Sequence, residues 1–173
     1  MEGFLNPEEI LKELELKESM LAAEFGTGAG IFAILLAKKL KQGRVYGLDI
    51  QEEKLSALKN RAALEKVENI VTIHCDLEAV KGSTFQNNFL DIILICNVLF
   101  QAEDKSAIIK EAKRVVKLGG QVLIIDWNDN APFGPKEGRI SAIEAKKIAG
   151  EAGLSLKKEF KAGAYHYGLL FTE

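Results

Sequence analysis

Glu24-Phe25-Gly26-Thr27-Gly28-Ala29-Gly30 is the segment whose residue types and spacing first suggest chemistry. Glycines let a backbone turn sharply and approach a ligand closely, and a helix that follows offers free N–H groups. The spacing reads G-x-G-x-G, with Ile31 where a dinucleotide fingerprint has its third glycine. No Gly-Lys-Ser/Thr follows, so the loop is not a phosphate P-loop. A tight strand-to-helix turn would account for the glycines alone. Asp49 adds to them, because it ends a strand about 20 residues past the loop, where a carboxylate can accept both hydrogen bonds of a ribose diol. Its plain alternative is an exposed cap for the helix expected over Gln51–Lys66. Asp76, in His74-Cys75-Asp76-Leu77, puts another acid at a third strand end.

These residues need a scaffold that brings strand ends together. Apolar, β-rich runs alternate with helix-period stretches, and strands are expected over Met20–Phe25, Arg44–Ile50, Ile70–Asp76, Leu90–Cys96, Gln121–Trp127, Leu154–Lys161 and Tyr165–Thr172. Runs such as Ile92-Ile93-Leu94-Ile95 suit a parallel sheet covered on both faces. Asn6-Pro7-Glu8-Glu9 and Ser141-Ala142-Ile143-Glu144 read as helix starts. A helix over Asp104–Lys117 is expected to end at Gly119-Gly120, which turns the chain into the next strand. Only Ala162-Gly163-Ala164 separates the last two strands, which permits only an antiparallel hairpin. The pattern calls for an α/β doubly wound sandwich. The irregular segment Asn128–Arg139 follows a strand end, where such folds keep their function.

The whole chain, 1–173, reads as a single domain, with an N-terminal helix and cover over 1–18 and a core over 19–173. Its 173 residues are 47% hydrophobic and 28% charged, which suits a globular protein. With 23 basic and 25 acidic residues the net charge is −2, so no basic stripe argues for nucleic acid. The longest apolar stretch, Ala29–Ala37, is too short to span a bilayer. Met1-Glu2-Gly3-Phe4 lacks the plan of a signal peptide. Cys75 and Cys96 make neither a disulfide framework nor a metal cluster, and a reducing cytoplasm is expected.

Taken together, the motifs resemble those of the class I S-adenosylmethionine-dependent methyltransferases, over nearly the whole chain. Glu24–Gly30 is similar to that family's acid-x-G-x-G-x-G loop, with Glu24 for the commoner aspartate. Asp49 matches the ribose-binding acid and Asp76-Leu77 the adenine-contacting pair. Asp91–Leu94 followed by Asn97-Val98-Leu99 matches the fourth-strand motif. Lys117-Leu118-Gly119-Gly120 is similar to the family's Leu-Lys-Pro-Gly-Gly turn, with Leu118 where proline is usual. The resemblance implies a Rossmann-like, seven-stranded, mostly parallel sheet of order 3-2-1-4-5-7-6, strand seven antiparallel, with helices on both faces. It implies S-adenosylmethionine as cofactor, S-adenosylhomocysteine as product, and cofactor contacts from Glu24, Phe25, Gly26, Thr27, Gly28, Gly30, Asp49, Ile50, Asp76, Leu77, Asn97 and Val98. In that strand order Cys75 and Cys96 lie three spacings apart, roughly 14 Å, beyond the ~7 Å a disulfide allows. Both are expected to be core thiols.

Methyl transfer asks the protein to align an acceptor, exclude water and sometimes take a proton. Candidates at the carboxyl ends of the strands are Asn97, Gln101, Asp126, Trp127, Tyr165, His166 and Tyr167. The implied strand order puts His166 near Asp126, a pair that could orient a base, and these two are the catalytic candidates. A structural hydrogen bond is the plainer role for His166, and packing for Trp127. Arg139 could hold an anionic acceptor or simply sit at the surface. Asp126-Trp127-Asn128-Asp129-Asn130 is oxygen-rich, but turn formation explains it, and no metal is expected.

Asn97-Val98-Leu99-Phe100 resembles the methyltransferase type 11 group that includes ubiquinone and menaquinone biosynthesis enzymes. A small-molecule acceptor follows as the leading expectation, in an enzyme of class EC 2.1.1.-. The chain has no inserted lid between strands, so the acceptor pocket is open or covered by Met1–Leu16, by Asn128–Arg139 or by a partner subunit, as in a homodimer. Other readings are a cofactor-binding protein without turnover, or a methyltransferase acting on nucleic acid or protein. Val98-Leu99 breaks the segment that base-methylating enzymes use after strand four.

Overall fold

The computed structural model describes residues 5–173, so the expectation drawn from Met1–Phe4 lies outside the described residues. Seven strands form one sheet in the order β3-β2-β1-β4-β5-β7-β6. They are β1 Leu21–Phe25, β2 Arg44–Asp49, β3 Ile70–His74, β4 Leu90–Cys96, β5 Val116–Trp127, β6 Ser155–Lys161 and β7 His166–Thr172. Strands β1 to β5 pair in parallel, and β7 runs antiparallel to both β5 and β6. The expected sheet is present in order and direction.

Helices cover both faces, which is why the central strands are apolar throughout. On one face α1 Pro7–Leu11, α2 Ile31–Lys39 and α3 Glu52–Leu64 bury Leu11, Ile34 and Leu58 against Ala22, Leu94 and Ile125. On the other, α4 Lys105–Val115 and α5 Ala142–Glu151 bury Ile109, Val115 and Ala145 against Ile93, Ile124 and Leu169. Fully burying one such Leu or Ile contributes about 1.5–3 kcal/mol. The edge strand β6 is exposed and lysine-rich, which protects an open edge from further pairing. Among the described residues no helix is long and apolar enough to cross a membrane.

Local signals act as expected at two helix starts. Asn6 Oδ1 accepts the Glu9 N–H at 3.3 Å, and Ser141 Oγ accepts the Glu144 N–H at 3.0 Å. After α1 the chain crosses beneath the sheet as a strap. Gln121 binds the backbone of Glu15 twice, at 3.0 Å each way, and Lys157 and Lys158 pair with Glu15 and Glu13. This fixes where α1 enters the site.

One boundary differs from expectation. The helix stops at Val115, and Val116 already pairs with Leu90 in β5. The next β4 pair joins Ile92 to Gln121, so Lys117–Gly120 bulge out of the strand instead of ending the helix. Backbone bonds between this bulge and Glu173 satisfy the detour. Asp91 steadies the same end, accepting the Leu21 N–H and pairing with Lys117, both at 2.8 Å. That end of the sheet is opposite the carboxyl ends of β1, β2 and β4, so Asp91 and the Gly-Gly segment serve the scaffold.

Candidate active site

A cleft of about 780 Å3 opens over the carboxyl ends of β1, β2, β3 and β4. Gly26, Gly28 and Gly30 lead from β1 into α2, all with positive φ, and Gly30 caps the helix. At Gly28 (φ +49) a Cβ would meet nothing within 4 Å, so the missing side chain leaves a cradle open to the cleft. Gly26 is closed on its other side by Val98, whose Cγ2 would lie 2.4 Å from a Cβ there. The loop following β4 thus packs directly on the loop following β1.

Glu24 fixes this loop from beneath. Its Oε2 accepts the Thr27 hydroxyl at 2.7 Å and the Ala33 N–H at 3.0 Å, tying the loop to the first turn of α2. Burial pushes its carboxyl up to about 8, partly offset by those two bonds. Thr27 donates its N–H to Leu48 O at 2.8 Å, locking the loop to β2. Phe25 is fully buried in the apolar core and is not among the residues that line the cleft.

Asp49 stands at the rim with Oδ2 accepting the Gly28 N–H at 2.9 Å and Oδ1 accepting the Gln51 N–H at 3.0 Å. A carboxylate offers roughly four acceptor positions, so about two remain for a ligand. Ile50 beside it is 60% exposed, and Leu77 lines the cleft next to Asp76. Asn97 follows β4 in the left-handed region at φ +56, with its carbonyl held by Gln101 Nε2 at 3.1 Å. Its Oδ1 is buried without a hydrogen-bond partner among the described residues. Leu5 and Pro7, at the start of the α1 segment, complete one wall.

The cysteines form no disulfide and pack against the core as expected, but their position is not wholly interior. Both are free and half-buried, and both line the cleft, Cys75 one residue beyond β3 and Cys96 at the end of β4. Burial pushes the Cys75 thiol up to about 11 and raises Cys96 as well, so both stay protonated.

The expected His166–Asp126 pair does not form. In the antiparallel register Trp127 faces His166 and Asp126 faces Tyr167, so the two side chains emerge on opposite faces of the sheet. Neither residue lines the cleft. Asp126 is fully buried, and accepts the Trp127 N–H at 2.8 Å and the Phe100 N–H at 3.3 Å. It braces the 3-10 turn Leu99–Gln101 that follows Asn97, and burial pushes its carboxyl up to about 6. His166 is 2% exposed, packed on Trp127 with ring centroids 4.1 Å apart and the planes tilted by 40°. Burial, then the nearby Arg139 charge, holds it down to about 4, so the ring is neutral at pH 7.

Sequence reasoning missed the role of Arg139. Its guanidinium donates to the carbonyls of Asn128, Asp129, Ala131, Phe133 and Pro135 at 2.6–3.1 Å. It knots the 128–139 loop and has no fork left for an anionic acceptor. The loop lies against the ends of β5 and β7: a Cβ on Gly134 would come within 2.6 Å of the Trp127 ring, and Phe133 meets Tyr165 edge-on at 5.3 Å. Within the oxygen-rich run, Arg139 takes the main-chain carbonyls of Asn128 and Asp129, and the Asp126 carboxylate is taken by backbone N–H groups.

Known proteins share this framework. A family model described as a methyltransferase domain matches residues 16–162. The demethylmenaquinone methyltransferase of Bacillus cereus (strain ATCC 10987 / NRS 248) is 27% identical over 133 residues, which are 76% of this chain and 55% of that protein. The chain thus spans about half the length of the curated relatives it matches. A crystal structure of a SAM-dependent methyltransferase from Aquifex aeolicus superposes with a TM-score of 0.87 at 27% identity, covering 97% of this chain and 89% of that one. The [4+2]-cyclase SpnF superposes with a TM-score of 0.86 at 11% identity, over 99% of this chain and 86% of that one, and shares the fold alone. With a matching family model over most of its length and the sheet order and glycine loop in place, the chain belongs to the methyltransferase-domain family of class I S-adenosylmethionine-dependent methyltransferases.

Proposed function

We propose that this domain binds S-adenosylmethionine in the cleft over β1, β2 and β4 and methylates a small-molecule acceptor. The observation that carries the reading is the open cradle at Gly28 beside the half-engaged carboxylate of Asp49. Gly26, Gly28 and Gly30 offer backbone at close range, and Asp49 retains acceptor positions for a ribose diol. Ile50 and Leu77 present apolar surface for a flat base, with Asp76 at its edge. Asn97 and Val98, at the end of β4, border the other side of the cleft. When bound, the cofactor supplies a methyl group already activated on a sulfonium. The chain's own tasks are therefore to hold, align and exclude water.

The acceptor reading rests on the named activity of the Bacillus cereus relative and on apolar cleft walls from Leu5, Pro7 and Phe32. A hydroxylated aromatic compound fits that surface. Cytoplasmic action suits two half-buried, protonated thiols, which an oxidising compartment would not preserve as readily.

Calorimetric titration with S-adenosylhomocysteine, with NAD as control, tests the cofactor. Binding of the former alone is expected. Binding of NAD alone overturns the reading. Cofactor binding with no methyl transfer to any phenolic or quinol acceptor would reduce the domain to a cofactor holder.

A further inference from the structure

At one end the cleft is closed across a wide gap in the sheet. Strands β3 and β4 are separated by β2 and β1, three spacings or roughly 14 Å. Even so, Leu77 beyond β3 and Ala102 and Ile108 beyond β4 line the same cleft and belong to one apolar cluster. Glu78 makes the connection. Its Oε2 accepts the Asp104 N–H at 2.6 Å and its Oε1 accepts the Glu103 N–H at 3.3 Å. These N–H groups stand at the start of α4, where the helix dipole favours a carboxylate. The loop after β3 thus sets its own anion on the helix after β4.

The same loop is fastened a second time, farther along α4. Glu111, 5% exposed, accepts the Ser83 N–H at 3.0 Å and the Ser83 hydroxyl, and pairs with Arg114. Arg114 also donates to Phe85 O at 2.8 Å. None of these four residues lines the cleft. Glu78 differs, because it is half-buried and lines the cleft beside Leu77 and Asp76. Its own N–H donates to Asp76 Oδ1 at 2.9 Å, which leaves Asp76 Oδ2 for a ligand. The Glu111 end secures the loop to the scaffold, and the Glu78 end fixes the two residues that meet the cleft.

We propose, resting on the methyltransferase reading, that Glu78 is a positioning residue for the cofactor's base. Its two bonds to the start of α4 form a clasp that holds Leu77 under the purine ring and Asp76 at the purine's amino edge. A purine seated on Leu77 lies between the loop after β3 and the start of α4, so the clasp sets the width of its seat. By linkage, a cofactor that binds better to the closed clasp favours closure by the same factor. Helix capping alone would stabilise α4 and leave the choice of base unaltered.

Calorimetric titration of the full chain with S-adenosylhomocysteine and with S-inosylhomocysteine, in which a carbonyl replaces the purine amino group, separates positioning from capping. Glu78→Ala should weaken S-adenosylhomocysteine by about tenfold, in the range of two partly exposed hydrogen bonds. S-inosylhomocysteine should weaken less, so the preference for adenine shrinks. Glu78→Gln keeps an acceptor oxygen and should recover most of the affinity and the preference. Equal weakening of both ligands would reduce Glu78 to a cap, and unchanged S-adenosylhomocysteine affinity in Glu78→Ala would take the clasp out of binding. Either result overturns the proposal. Amide exchange in the wild-type chain decides the matter even if the alanine variant fails to fold. Saturating S-adenosylhomocysteine should slow exchange at the Glu103 and Asp104 amides by about the same tenfold, and unslowed exchange there would overturn the clasp. A wild-type chain that binds neither ligand would remove the cofactor reading and the clasp's role with it. Normal wild-type binding with no response to the Glu78 variants would remove the clasp alone.

Discussion

At β1 and β2, the polar side chains around the glycine loop are engaged by the chain itself: Glu24 with Thr27 and Ala33, Asp49 with Gly28 and Gln51. At β5 and β7, about three strands away, the His166 ring nitrogens have no hydrogen-bond partner among the described residues, and the neighbouring loop is knotted by a single guanidinium onto its own carbonyls. The first region is a backbone cradle braced by carboxylates, suited to a ligand that is the same in every turnover. The second is packed shut, with His166 buried against the Trp127 ring and outside the cleft lining. The open space lies over the first region, and the second is closed by its own side chains.

The largest way to break this contrast is Asp49→Ala. It removes the acceptors for a ribose diol and the brace on the Gly28 N–H together. Loss of about 3 kcal/mol of S-adenosylhomocysteine binding, roughly hundredfold in Kd, is expected by calorimetry, with the circular dichroism spectrum unchanged. An unchanged Kd would take Asp49 out of cofactor binding and leave the glycine loop as a turn.

That half of the site was legible because its signals are local. The glycine spacing, Asp49 and Asp76 each follow a strand whose apolar run marks its own end. The strand order came from the family resemblance, and the sheet repeats it. The other half depends on relations that short segments do not encode. The pairing of β5 with β7 brings His166 and Asp126 to neighbouring positions, but a one-residue offset in register sends them to opposite faces. Asp126 instead braces backbone at Phe100, and Arg139 binds five main-chain carbonyls, partners that any residue can supply. Nothing in the residue types at 128–138 announces them. Lys117–Gly120 was misread for a similar reason, because a bulge and a helix stop both call for glycine.

Arg139→Ala should separate the two regions at intermediate size. Loss of the five carbonyl bonds is expected to destabilise the 128–139 loop by about 2 kcal/mol, with other contacts limiting the damage. Faster amide exchange in that loop and a red shift of Trp127 emission would report it. Binding of S-adenosylhomocysteine should stay within about twofold, since Arg139 lies outside the cleft lining. A parallel collapse of cofactor binding would show that the loop supports both regions and that the division drawn here is false.

The smallest effect is also the one with an unusual sign. His166→Phe replaces a ring with two unpaired nitrogens by an apolar one of similar shape, and the folded chain should gain about 1 kcal/mol at pH 7. The pH dependence sharpens this. Burial holds the folded His166 down to about 4, against an unfolded value near 6.5. The unfolded chain therefore binds the proton more readily, and wild-type stability attributable to His166 is present above pH 6.5 and falls as pH drops toward 4. The phenylalanine variant has no such fall, so its advantage in urea denaturation should widen between pH 6.5 and pH 4. A destabilised variant with a parallel pH profile would mean that the imidazole already has a partner in the resting protein, such as an ordered water. A stabilised variant with unchanged S-adenosylhomocysteine affinity would show that the unpaired ring at β7 and the cradle at β1 are energetically independent.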